Sequence, residues 1–136
     1  MKIADPVVYK VCAREEWLRA RQFGALVPSS DDMRDGYVHL SRASQLRGTL
    51  ARHFAGRDDL VLLAVRAERL PEGALRWEVS RNGELFPHLY DRLGVSSVEQ
   101  VFDLPRDASG VHALPAGVAP AEGTARAAEG ASTEER

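Results

Sequence analysis

A histidine and a hydroxyl group stand two residues apart in the segment Asp35-Gly-Tyr-Val-His-Leu-Ser41. The segment favours a short β-strand, in which residues i and i+2 share a face, so His39 and Ser41 can contact one ligand. A neutral imidazole beside a hydroxyl suits the hydroxyls of a ribose or a phosphate group. Alternatively, Ser41 only caps the following helix and His39 is a buried histidine with satisfied hydrogen bonds. The residues alone leave both interpretations open.

A denser polar group surrounds the Asn82-Gly83 dipeptide, which is typical of a hairpin turn. Its members are Arg81, Glu84, His88 and Tyr90. Glu84 is a candidate general base or a partner for a ribose hydroxyl, and His88 is a candidate proton carrier near neutral pH. Tyr90 can stack on a flat ring or donate a hydrogen bond. The alternative is that these groups face water around the turn.

Hydrophobic periodicity predicts the elements that would position these groups. The predicted strands are a short one around His39 and the runs 7–12, 60–65, 75–79 and 98–104, and the predicted helices are 14–23 and 43–55. Gly24 is expected just after the first helix, and Ser41 is expected to cap the second. Residues 28–32 are predicted to be a loop. Pro87 makes residues 84–90 an edge strand or an ordered loop.

The order of these elements, with helices early and strands late, indicates an α+β fold with small antiparallel or mixed sheets and two helices. Neither the Gly-x-Gly-x-x-Gly pattern nor a P-loop occurs, so the standard nucleotide-binding folds are not supported. The alternation of residues 75–79 is expected to bury Trp77 and to expose Arg76 and Glu78. No site is predicted on that strand.

The chain length of 136 residues indicates one domain with a single core. No aromatic residue follows Phe102, and the end of the chain is rich in Ala, Gly, Glu, Ser, Thr and Pro. Such a composition buries too little apolar surface to offset its ordering entropy. We therefore expect a globular domain at residues 1–105 and a disordered tail at residues 106–136.

Composition also limits the classes of partner and cofactor. A formal net charge of -2 argues against broad binding to nucleic acids or membrane surfaces. A single cysteine, Cys12, excludes an internal disulfide and a cysteine-based zinc cluster, and the spacing of His39, His53 and His88 does not indicate a metal site. With no membrane-spanning run and no signal-peptide pattern, a cytoplasmic protein is the expectation.

Several motifs in residues 7–104 resemble those of the domain of unknown function 952 (DUF952) family, a bacterial family. They are Asp35-Gly-Tyr-Val-His-Leu-Ser41, Gly48-Thr-Leu, Leu60-Val-Leu-Leu, Leu75-Arg-Trp-Glu78 and Gly83-Glu-Leu-Phe-Pro-His-Leu-Tyr90. The last of these is the most specific. Membership in this family implies a fold and little about activity.

The order of motifs is also similar, more distantly, to the RNA 2′-phosphotransferase branch of the ADP-ribosyltransferase superfamily. The counterparts here are Tyr9-Lys10-Val11-Cys12, Gly24, Val38-His39-Leu40-Ser41 and Asn82-Gly83-Glu84. This likeness implies a split sandwich of two small sheets with NAD in the cleft between them. It places Lys10 where those proteins have a histidine that holds NAD, and Glu84 at the position of their catalytic glutamate. A lysine can contact phosphate, but it cannot accept a hydroxyl proton as neutral histidine can.

Three functional hypotheses follow. The first is a protein that binds NAD, ADP-ribose or a related phosphorylated nucleotide, as a transferase with Glu84 and His88 as catalytic residues. Its ligand-binding residues would be Lys10, His39, Ser41, Arg81 and Tyr90, it would need no metal, and an RNA end stays open as a substrate. The second is a non-catalytic module that binds a small ligand or a protein on the same fold, and the third is a purely structural domain.

Overall fold

A computed structural model of the chain describes residues 5–118, which form two three-stranded antiparallel sheets and three α-helices. In chain order the elements are β1 (Val7–Ala13), α1 (Arg14–Phe23), α2 (Ser30–Asp35), β2 (Val38–His39), α3 (Leu46–His53), β3 (Leu60–Arg66), β4 (Leu75–Val79), β5 (Leu85–Leu89) and β6 (Val98–Leu104). The α+β prediction is confirmed. No helix within residues 5–118 combines the length and apolar character that crossing a bilayer requires.

The first sheet has the order β1-β3-β6 and supplies both cores of the molecule. Its middle strand β3 is the most apolar run of the sequence, and its alternate residues enter two different clusters. Val61 and Leu63 pack beneath α1 together with Cys12, whereas Leu62 packs with Leu46 of α3 on the other side. A strand that is buried on both faces needs such a near-continuous apolar sequence. The predicted strand 60–65 is therefore confirmed.

The second sheet has the order β2-β5-β4, so β5 is its middle strand. The prediction of an edge strand or loop for this segment is wrong. Pro87 is tolerated there because its carbonyl faces β2 and accepts from the Leu40 backbone N–H, just beyond the end of that two-residue strand. The proline nitrogen faces the same side, so the hydrogen bond that it cannot donate lies beyond the end of β2, and the ladder between β5 and β4 is unaffected.

The two sheets meet where β1 runs beside the residues that follow β2. Tyr9 and Ser41 exchange two backbone hydrogen bonds, each 2.9 Å long. Ser41 is therefore not the predicted helix cap: a 3₁₀ turn at Ala43–Gln45 intervenes before α3, and the Ser41 hydroxyl lies 2.9 Å from the Thr49 hydroxyl. The bridge brings β1 beside the polar face of the second sheet.

Residues 28–32 were predicted to be a loop, and this prediction is wrong in its second half. Ser29 caps α2 by accepting a hydrogen bond from the Asp32 backbone N–H, and the Asp32 carboxylate accepts from the Ser29 backbone N–H in return. This reciprocal capping box satisfies two free amide groups at the helix start. The short helix carries Asp32 and Asp35 towards β2.

The structure also corrects the predicted tail in its first part, because residues 106–118 fold against the domain. Arg106 pairs with Asp58, and buried His112 donates its Nε2–H to the Arg57 carbonyl at 2.7 Å. Val118 is 5% exposed and packs in the second core cluster. A few apolar side chains and specific hydrogen bonds thus order a segment whose average composition predicted disorder. The rest of the predicted tail, 119–136, lies outside the described residues.

If residues 106–118 contribute to stability, truncating Val118 must cost more than truncating an exposed valine nearby. We expect Val118→Ala to lower the free energy of unfolding by about 1–3 kcal/mol, because it removes buried methyl groups and leaves a cavity. Val111, 55% exposed, is the matched control, and Val111→Ala should change it by less than about 0.5 kcal/mol. Urea denaturation of both variants measures the difference, and equal values would show that the segment does not stabilise the domain.

Candidate functional site

A cavity of about 370 Å³ lies at the junction of the two sheets. Its walls come from β1, α2, β2, α3, the hairpin after β4, and β5. Five of the predicted site residues line it: Lys10, His39, Ser41, Arg81 and His88. Polar groups that are up to more than seventy residues apart in the sequence therefore line one cavity.

One wall of the cavity is organised by the carboxylate of Asp32, which is 3% exposed. Its Oδ1 accepts from the His39 backbone N–H at 3.0 Å and lies 2.6 Å from His39 Nδ1. Its Oδ2 accepts from Lys10 Nζ at 3.2 Å and from the Ser29 backbone N–H at 3.2 Å. Burial acts to raise the pKa of Asp32, but the hydrogen bond from His39 and the charge of Lys10 outweigh it and hold the pKa below the ordinary value.

Lys10 belongs to the same group of hydrogen-bonded side chains around Asp32. Its ammonium group is largely buried, and it donates to Asp32 and, at 3.1 Å, to the His39 carbonyl. A buried ammonium group is tolerated only when it is paired and hydrogen-bonded, and these two contacts satisfy that condition. The contact with phosphate expected of Lys10 is not tested by this arrangement and stays a prediction.

The imidazole of His39 is held between two carboxylates. Its Nδ1 faces Asp32, and its Nε2 lies 2.9 Å from Oδ2 of Asp35 at the end of α2. Carboxylates only accept hydrogen bonds and a neutral imidazole has one N–H, so both contacts can be hydrogen bonds only when the ring carries two protons. While both persist, His39 offers no free ring nitrogen to a ligand.

The outer face of the second sheet carries a second histidine in a different setting. His88 stands opposite His39 across the strands and is 4% exposed, and Tyr37 stacks on its ring at 3.9 Å between centroids. Its Nδ1 lies 2.8 Å from Glu78 Oε1, which also accepts from the Tyr90 hydroxyl at 2.8 Å. The hydrogen bonds from His88 and Tyr90 lower the pKa of Glu78. Tyr90 reaches this group from outside the cavity lining.

Two arginines line the α3 end of the cavity, beside His53, whose pKa is lowered by burial and by the charge of Arg81. Arg52 and His53 come from α3, and Arg81 comes from the hairpin, where it lies 4.9 Å above the Phe86 ring. Within residues 5–118 neither the Arg52 nor the Arg81 side chain forms a hydrogen bond or ion pair with the protein. Burial and the charge of Arg52 lower the pKa of Arg81. Two neighbouring guanidinium groups without a carboxylate partner form a basic end of the cavity.

Glu84, the predicted catalytic carboxylate, lies elsewhere. It is exposed, its Oε1 accepts from Gln45 Nε2 at 3.2 Å, and it is not part of the cavity lining. The interpretation of Glu78 as a simple solvent-facing charge missed the carboxylate that does reach His88. Asp32 was missed as well, although Ser29 followed three residues later by an acid is a capping signal.

Within the described part of the chain, no cluster of three or more histidine, cysteine or acidic side chains has a geometry that could hold a metal ion. Cys12 is buried in the first core, and burial, with the nearby charge of Glu16, raises the pKa of its thiol to about 12. A thiol that stays protonated is a poor nucleophile. We therefore assign Cys12 to the core.

Removing the charge of Asp32 should be costly, because it leaves the buried ammonium of Lys10 without its partner. We expect Asp32→Asn to lower the free energy of unfolding by about 3–5 kcal/mol. Asp31→Asn, one residue earlier on exposed helix surface, is the control and should cost less than about 1 kcal/mol. Chemical denaturation measures the free energy of unfolding of both variants. A loss for Asp32→Asn no larger than that for Asp31→Asn would contradict the role of Asp32 as the partner of Lys10.

The lowered pKa of Asp32 also predicts a pH dependence. A carboxyl group whose pKa is lower in the folded state adds stability above its unfolded pKa, near 3.8, and that stability is lost as the pH falls below it. As the pH is lowered through this range, the free energy of unfolding should therefore fall less in Asp32→Asn than in the parent chain. Asp58 and Asp107, whose pKa values are also lowered, account for part of the slope that remains. If the free energy of unfolding fell with pH at the same rate in the two proteins, the contribution assigned to Asp32 would be contradicted.

Two solved structures of one other protein are similar to this chain in sequence and in fold. The crystal structure of protein CC0527 from Caulobacter crescentus is 47% identical, with a TM-score of 0.74 over 79% of this chain and 93% of that chain. Its solution NMR structure has the same identity, a TM-score of 0.70, and covers 79% of this chain and 91% of that chain. No curated protein matches the chain. Residues 11–101 match the model of the family described as "Protein of unknown function (DUF952)", and the chain therefore belongs to the DUF952 family.

Proposed function

We propose that the chain binds a phosphorylated nucleotide, such as NAD or ADP-ribose, in the cavity between its two sheets. The observation that carries this proposal is the basic end of the cavity, where Arg52 and Arg81 form no ion pair within residues 5–118 and the charge of Glu84 only partly offsets that of Arg81. Guanidinium groups match phosphate oxygens in geometry and charge. The phosphates of the ligand would lie against these two side chains.

The electrostatics of the cavity support this orientation. Arg52 and Arg81 repel each other, and a bound phosphate would relieve that repulsion. Asp31 and Asp35 of α2 also line the cavity, pair with Arg34 and would repel a phosphate. A charged ligand therefore has one favourable direction in the site.

The remaining lining suits the rest of a nucleotide. Ser41 and Thr49 offer hydroxyl groups, and the rings of Tyr37, Phe54 and Phe86 offer flat apolar surface. The volume of about 370 Å³ falls in the lower part of the range of small-molecule sites, which is roughly 300–1,000 Å³. Apolar walls with a few polar groups are the usual composition of such sites.

The likeness to ADP-ribosyltransferases is part of this proposal. A split sandwich of two sheets with NAD in the cleft would account for the position of the cavity beside the Tyr9–Ser41 bridge. Membership in that fold, the use of NAD and a cytoplasmic location stay predictions. A non-catalytic module is the alternative, and the commitment of Lys10 and His39 to Asp32 favours it.

Titration with ADP-ribose tests the proposal. At millimolar concentration ADP-ribose should raise the melting temperature of the chain, whereas adenosine, which lacks phosphate, should raise it much less. Arg81→Gln and Arg52→Gln should each weaken binding by roughly tenfold to a hundredfold, because each removes a charge-assisted hydrogen bond. Arg47→Gln is the matched control, since Arg47 lies on the same helix as Arg52, is exposed and does not line the cavity.

Calorimetry of the four proteins gives the affinities. Equal affinities for ADP-ribose in all of them, or no stabilisation by ADP-ribose, NAD or inorganic phosphate, would contradict binding at the basic end. Release of nicotinamide from NAD would separately exclude the non-catalytic alternative.

A further inference from the structure

The two histidines that face each other across β2 and β5 differ in the number of ring nitrogens they leave free. Both nitrogens of His39 are taken by carboxylates. In His88 only Nδ1 has a partner within residues 5–118, the carboxylate of Glu78. His88 is more than nine-tenths buried, yet it contributes to the wall of the cavity.

The hydrogen bond to Glu78 decides which nitrogen of His88 carries the proton. Because a carboxylate can only accept, Nδ1 must donate, and in the neutral ring Nε2 is then an unprotonated acceptor. Glu78 does not line the cavity and occupies Nδ1, so Nε2 is the ring nitrogen that His88 has left for a molecule in the cavity it lines. The stacked ring of Tyr37 and the Tyr90–Glu78 hydrogen bond restrain the imidazole and the carboxylate in this arrangement.

We propose that Glu78 positions His88 as a proton acceptor whose Nε2 faces the cavity and takes a proton from a hydroxyl group of the bound molecule. In this step the O–H bond breaks, the Nε2–H bond forms, and the electron pair stays on the oxygen. The negative charge of Glu78 stabilises the imidazolium that results, as the carboxylate does in other acid–histidine pairs. In naming a ribose hydroxyl as the proton donor, the assignment rests on the proposed function.

The surroundings of His88 suit this role. Arg76 is the cation across the strand from His88, but its guanidinium lies over the Tyr90 ring at 4.4 Å. The His39 ring is 6.0 Å away at its centroid. The nearest titratable neighbours are therefore Glu78, which orients the ring, and two tyrosines with raised pKa values: Tyr37 through burial and Tyr90 through its hydrogen bond to Glu78.

Nitrogen-15 NMR of the histidine rings tests the positioning by Glu78 without any ligand. In alkaline solution, where the imidazole is neutral, His88 should populate the Nδ1–H form over the Nε2–H form by roughly tenfold or more, because a charged acceptor favours it. Glu78→Leu should abolish that preference, and Glu72→Gln, an exposed change in a turn, should leave it intact. A dominant Nε2–H form in the parent chain would overturn the proposal.

Acylation by diethyl pyrocarbonate tests access to Nε2, since this reagent attacks an unprotonated imidazole nitrogen. His88 should be modified and His39 spared, and peptide mass mapping separates the two sites. Lack of modification at His88 would overturn the proposal whether or not nucleotides bind. If ADP-ribose binds by calorimetry but does not slow acylation of His88, the proton-acceptor role fails while nucleotide binding stands; if ADP-ribose slows it, both are supported.

Discussion

The carboxylate of Asp32 is the contact on which the site depends. It lies in the first turn of a short helix, yet it holds the ammonium of Lys10 from the first sheet and both the backbone and the ring of His39 from the second. Its two oxygens face four partner atoms, on Lys10, on Ser29 and on the backbone and ring of His39. Such a carboxylate connects α2, β1 and β2, and a neutral side chain in its place would leave a buried charge unpaired.

This arrangement divides the cavity into two ends with different roles. At the acidic end, Asp32 and Asp35 satisfy His39, and Arg34 neutralises the exposed acids of α2. At the other end, Arg52 and Arg81 form no ion pair within residues 5–118. His88 lies beside His39 on the second sheet, and its Nε2 has no partner within the same residues. The first end stabilises the junction of the sheets, and the second end is where we propose that the phosphates of a ligand bind.

Most of the fold followed from local pattern, whereas the site depends on pairings between distant residues. The apolar strand β3 and the Asn82-Gly83 turn could be predicted from the sequence, because each is determined by its own residues. Lys10 was interpreted only as a ligand-binding residue, because its partner Asp32 is 22 residues away and lies in what had been interpreted as a loop. The role of Glu78 depends on the register that sets β4 against β5, which no single strand reveals. Residues 106–118 were misjudged because average composition does not show that two or three side chains, such as Val118, find a place in the core.

A crystal structure of the chain grown with ADP-ribose tests the central claim most directly. The account predicts that the diphosphate lies between the guanidinium groups of Arg52 and Arg81, with a ribose hydroxyl within hydrogen-bonding distance of His88 Nε2. A diphosphate bound elsewhere on the molecule, with the cavity filled only by water, would contradict it.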